Sequence, residues 1–145
     1  MREQVRNVGL VMIIVGGLNL ALYALSLLVN LAGMGAAMVQ GTTGMEGNEL
    51  LGYLFGYGLM SVLPAINIVG GLLWIIAGAR LMGMHNRMFA VVLLIMGAIP
   101  CCITHPCCTW IFTLPVSAWG LTVLFSTEVE AAFMEAELGS MGPLG

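Results

Sequence analysis

Val8-Gly9-Leu10-Val11-Met12-Ile13-Ile14-Val15-Gly16-Gly17-Leu18-Asn19-Leu20-Ala21-Leu22-Tyr23-Ala24-Leu25-Ser26-Leu27-Leu28-Val29-Asn30-Leu31 runs without a single charged side chain. A helix of that length reaches about 35 Å, enough to cross the ~30 Å hydrocarbon core of a bilayer. Inside lipid every backbone N–H and C=O must be satisfied within the segment, so such a run folds as a helix. A second apolar stretch covers residues 50–82 and is interrupted by Pro64. A third opens at Met88, and a fourth at Cys108. The reading is an all-α integral membrane protein, a four-transmembrane-helix bundle occupying residues 1–138. Its spans are expected at about 8–31, 64–81, 88–104 and 108–126, with residues 127–145 as an acidic cytoplasmic tail. Residues 33–48 read as a connection, and residues 50–63 as an outer extension with Tyr53, Phe55 and Tyr57 near the headgroups.

Composition supports this reading. The 145 residues are 60% hydrophobic and 8% charged, with a mean hydropathy of +1.04, whereas about a quarter of the residues of a soluble domain are charged. Four such spans leave no room for a separate soluble domain. The cations are four arginines and no lysine, so there is no basic stripe for nucleic acid. Arg2 and Arg6 precede the first span, and Arg80 and Arg87 flank the turn between the second and third. The two opposite loops hold no cation, and the positive-inside bias then predicts both termini in the cytoplasm. The start resembles the n-region of a signal peptide, but the apolar run exceeds the usual 7–15 residues of an h-region, so an uncleaved span is expected.

The first span carries small and polar residues in alternating steps of three and four: Gly9, Met12, Gly16, Asn19, Tyr23, Ser26 and Asn30. That is the seam of a left-handed helix pair. Asn67, Gly70 and Trp74 mirror it in the second span, and Ile14-Val15-Gly16-Gly17-Leu18 recurs unchanged as Ile68-Val69-Gly70-Gly71-Leu72. Gly16, Gly17, Asn19, Asn67, Gly70 and Gly71 are therefore expected to form the packing site, since small residues let helices approach closely in lipid. An amide pair between Asn19 and Asn67 would contribute roughly 0.6 kcal/mol. A polar pathway is the alternative, although such routes usually carry carboxylates or cations, and these spans hold none.

Pro100-Cys101-Cys102-Ile103-Thr104-His105-Pro106-Cys107-Cys108 gathers all four cysteines beside His105. Three readings stay open. Cys101, Cys102, Cys107 and Cys108 serve as small apolar thiols, as disulfides in an oxidising compartment, or as soft metal ligands. The spacing lacks a clean Cys-x-x-Cys pair and a second ligand set, so no bound metal or other cofactor is expected. No nucleophile–base–orienter set is recognisable, so no enzymatic activity is expected. In the fourth span Pro115 frees a carbonyl, and Thr113 and Ser117 are placed to satisfy it. Thr127-Glu128-Val129-Glu130 then reads as a capping box. The short helix it opens has Val129, Ala132, Phe133 and Ala136 on one face, and reads either as a protein contact or as a solubilising, frayed tail.

The segments Gly78-Ala79-Arg80-Leu81-Met82, Ile99-Pro100-Cys101, Leu114-Pro115-Val116-Ser117-Ala118-Trp119-Gly120-Leu121 and Glu128-Val129-Glu130-Ala131-Ala132-Phe133 together resemble a family of small bacterial multi-span modules frequent in planctomycetes. The resemblance covers about the last seventy residues and the Gly-Gly-Leu segments of the earlier spans. It implies a compact helical module of the bacterial inner membrane and no particular activity. The expected partners are the lipid bilayer and other membrane subunits, of the same or a different chain; the alternatives are a small homo-oligomeric channel or transporter component, or a protein with a thiol or metal site at the outer face.

Overall fold

The computed structural model describes residues 2–41, 47–99 and 107–140. Among them are five helices: α1 (Arg2–Gly41), α2 (Gly47–Met82), α3 (Arg87–Ala98), α4 (Cys107–Leu124) and α5 (Thr127–Ser140). α1 and α2 form a long antiparallel hairpin. α3 lies on α2 and α4, α4 returns along α1, and α5 closes the base against α1 and α4.

The two long helices run further than the sequence pattern suggests. Residues 33–41, expected as a connection, continue α1, and Pro64 lies inside an unbroken α2. A proline lacks the N–H that would bond the carbonyl four residues back, here that of Met60. Asn30 on α1 supplies the missing donor, its Nδ2 lying 3.4 Å from the Met60 oxygen. With that oxygen served from across the hairpin, the helix passes through the proline.

α1 and α2 are each long and apolar enough to cross a membrane, and the bent pair of α4 and α5, turned by 68°, adds a third candidate. α3 has 12 residues, about 18 Å, less than a bilayer crossing. The turn entering it is tight. Arg80 O accepts from Gly83 N and His85 N, at 3.1 and 2.9 Å. Met84 and Asn86 adopt left-handed φ values of 57° and 53°, a conformation that asparagine tolerates better than most residues.

The apolar core lies at the arginine-bearing end. It joins Val5, Val8 and Met12 of α1 to Trp74, Ala77 and Leu81 of α2, with Ala90, Val91 and Leu94 of α3 and Leu124 of α4. Val129 and Phe133 of α5 complete it. The face expected on the tail helix is thus covered by this chain itself and not by a partner. Arg87, at the start of α3, reaches Glu130 at 3.6 Å and stands 6.0 Å from the centre of the Phe125 ring. Beyond Tyr23 the helices lose this cladding. The distal hairpin leaves Leu28, Val39, Phe55 and Leu59 each more than 60% exposed.

Candidate functional site

Two glycine pairs set the approach of α1 and α2. A Cβ on Gly16 would lie 2.8 Å from the Gly71 carbonyl oxygen, and one on Gly71 would lie 2.9 Å from that of Gly16. Gly9 and Gly78 meet in the same way, a Cβ on Gly9 falling 2.7 Å from the Gly78 oxygen. Real Cβ atoms do not come so close, so only glycine permits this spacing. The two pairs lie seven residues apart on both helices, the heptad step of a left-handed pair.

The expected packing residues therefore divide. Gly16 and Gly71 meet in the seam, whereas a Cβ on Gly17 or Gly70 would have no neighbour within 4 Å. The repeated pentapeptide pairs its first glycine on α1 with its second on α2, because antiparallel helices match positions counted in opposite directions. Ser26 lies exposed and Asn30 half-buried, so the buried part of the seam ends near Tyr23. Gly78 and Gly97 also belong to the packing surface, and sequence reasoning does not single them out. For Gly78, the available signal is its heptad spacing from Gly71.

Above the core four polar side chains lie buried: Asn19, Asn67, Thr113 and Ser117. The anticipated Asn19–Asn67 amide pair is not formed. Asn67 Nδ2 donates instead to Leu63 O within its own helix, at 2.9 Å. Ser117 Oγ has no hydrogen-bond partner among the described residues, so it does not satisfy the carbonyl freed by Pro115. It lies against Gly97, 2.8 Å from where a Cβ would sit, and the Trp74 ring lies 2.5 Å from the same point. Glycine at 97 thus admits the indole between α2 and α3.

Beside Trp74 a cleft of about 200 Å³ opens between α1, α2 and α3. Asn19 and Asn67 line it, with Gly70, Trp74, Met96 and Gly97. Asn19 is 6% exposed. Ile66, Val69 and Met96 line the cleft and are exposed on the outer surface of the bundle, so it opens sideways. A second, wider groove lies at the base, lined by Arg2, Glu3, Arg6 and Glu135.

Cys101, Cys102 and His105 lie outside the described residues, as do the side chains of Cys107 and Cys108 at the start of α4. Among the described residues no group of three or more His, Cys, Asp or Glu side chains could hold a metal ion. His85 sits in the α2–α3 turn, its Nδ1 against the Gly83 carbonyl oxygen. Comparison with family models, with characterised proteins and with solved structures finds no match to this chain.

Proposed function

We propose that this chain is a non-catalytic integral membrane subunit that seats within a larger membrane assembly, with four helices in the membrane and both ends in the cytoplasm. The observation that carries the reading is the mismatch between the hairpin and a bilayer. With the hydrocarbon boundary at Val8, about twenty residues of α1 reach its far side. The turns that remain, up to Gly41, add about 20 Å. A tilt of about 40°, the upper end of the usual range, shortens the run from residue 8 to 41 only from about 50 to about 38 Å. The protruding part is nevertheless apolar outside: Val39, Leu51 and Phe55 are 73%, 66% and 75% exposed. An apolar surface of this kind, standing beyond the lipid, calls for another protein to cover it.

The arginine asymmetry supports the orientation, and the resemblance to bacterial multi-span modules supports placement in the inner membrane. The channel alternative is less well served. Asn19, Asn67, Thr113 and Ser117 are buried within one copy, so they do not furnish a polar lining for an oligomer axis.

Native mass spectrometry from the native membrane tests the proposal. The chain is expected in a complex with other chains, and Leu51→Ser with Phe55→Ser should release it while leaving its helical content unchanged. A lone monomer at several mild detergent concentrations would refute the reading.

A further inference from the structure

We infer that the cleft beside Trp74 is a binding site for the uncharged, carbonyl-bearing head of a lipid-soluble molecule, of which an isoprenoid quinone is the best-fitting class. The inference rests on the membrane reading of α1 and α2, and not on membership of an assembly.

Four observations converge. First, Asn19 is only 6% exposed and lines the cleft. An amide facing so apolar a cleft favours a ligand carbonyl as acceptor, because a polar group without a partner in such a setting costs about 1–3 kcal/mol. Asn67, 5% exposed, stands beside it on the same cleft. Second, the depth excludes a charged head. Asn19 is eleven residues into the span from Val8, roughly 16 Å, which is near the middle of a ~30 Å core. Charge at that level is costly, and the cleft offers no counter-ion among its lining residues. Third, the mouth opens between exposed apolar side chains of α2 and α3, so entry is from lipid. Fourth, about 200 Å³ is the share of roughly six or seven waters in the liquid. It accommodates a ring or a small head while the tail remains among the acyl chains. A flat quinone can lie beside the Trp74 indole, and quinones move freely at the midplane. A diglyceride offers the same carbonyl chemistry, but its head must leave the interface to reach it.

Gly70 provides the control. It lines the cleft, and a Cβ there meets nothing within 4 Å, so a larger side chain fills the cleft without pressing on the helix seam. The experiment uses the full chain with Trp110→Phe and Trp119→Phe, which leaves Trp74 as sole emitter, in phosphatidylcholine nanodiscs. A decyl-substituted benzoquinone is titrated and Trp74 emission recorded, with dioctanoylglycerol and tetradecane as competitors. The expected result is a saturable quenching phase on top of the linear collisional one. Asn19→Leu should move its midpoint at least tenfold higher, and Gly70→Leu should abolish it. Should Asn19→Leu fail to assemble, Gly70→Leu, with unchanged helical content, decides the matter alone. Competition by dioctanoylglycerol at equal mole fraction would assign the site to glycerides within the same chemistry. Linear quenching alone, an identical saturable phase in all variants, or equal competition by tetradecane would each overturn the inference.

Discussion

Asn30 on α1 donates to the carbonyl oxygen of Met60 on α2, the oxygen that Pro64 deprives of its intrahelical donor. The amide and the proline are thus energetically linked across the hairpin, and the link is measurable. Asn30→Leu should destabilise the protein by about 0.6 kcal/mol, the usual size of a hydrogen bond between membrane helices. In a Pro64→Ala background the Met60 carbonyl regains its own N–H, and the same substitution should cost close to nothing. A double-mutant cycle on unfolding in detergent reads the difference; equal costs in both backgrounds would show that the two residues act separately.

The glycines should split into two classes. Gly71→Ala and Gly78→Ala each drive a Cβ into a carbonyl of the facing helix, and the resulting overpacking should cost about 1–3 kcal/mol. Gly17→Ala and Gly70→Ala meet open space and should be neutral, or stabilise by about 0.5–1 kcal/mol through helix propensity. Thermal unfolding in one detergent ranks the four. Similar losses at all four positions would argue against the observed register.

α5 should behave as a docked helix. Phe133 is buried in the core with Val129, and Phe133→Ala should cost about 3 kcal/mol. Hydrogen exchange of the α5 amides should then quicken roughly a hundredfold, with α1 and α2 unchanged, because a segment opens locally at the cost of the packing that holds that segment alone. Glu130→Gln should do far less, since the Glu130 side chain is 47% exposed and exposed ion pairs contribute little.

The orientation proposed from the arginines can be checked by labelling. In a version without native cysteines, Asn48→Cys should react with an impermeant maleimide added outside the cell. Asn86→Cys should react only after permeabilisation. The opposite pattern would reverse the topology.

The sequence made much of this architecture readable because lipid removes most alternatives. The three-and-four spacing from Gly9 to Tyr23 is buried as expected, since an apolar stretch can bury its few small and polar residues only against another helix. The face of α5 carrying Val129 and Phe133 was readable for the same reason, but its partner was not. An amphipathic stripe specifies that something covers it and leaves open what does. Pro64 suggested a division because local backbone rules cannot anticipate Asn30, which is distant along the chain. A Gly-Gly doublet leaves the register uncertain by one residue, so the pattern alone points to Gly70 as readily as to Gly71. The cleft was unreadable for a related reason. Asn67, which lines it, bonds Leu63 O within its own helix, a partner that spacing along the chain does not distinguish from one on the facing helix.

The docking of α5 on α1 also sets an order in time. Val5 and Val129 belong to one core, though nearly the whole chain separates them. During synthesis the α1–α2 hairpin can zip as soon as its second arm emerges, because its two arms are neighbours along the chain. The base must wait for the last helix, and its closure carries the entropy of the largest loop in the molecule. Until then Val5, Val8 and Leu124 stand uncovered at the membrane surface. A chain truncated before residue 127 would be inserted and paired but open at its foot. α5, 14 residues long, thus works as the bolt that closes the base.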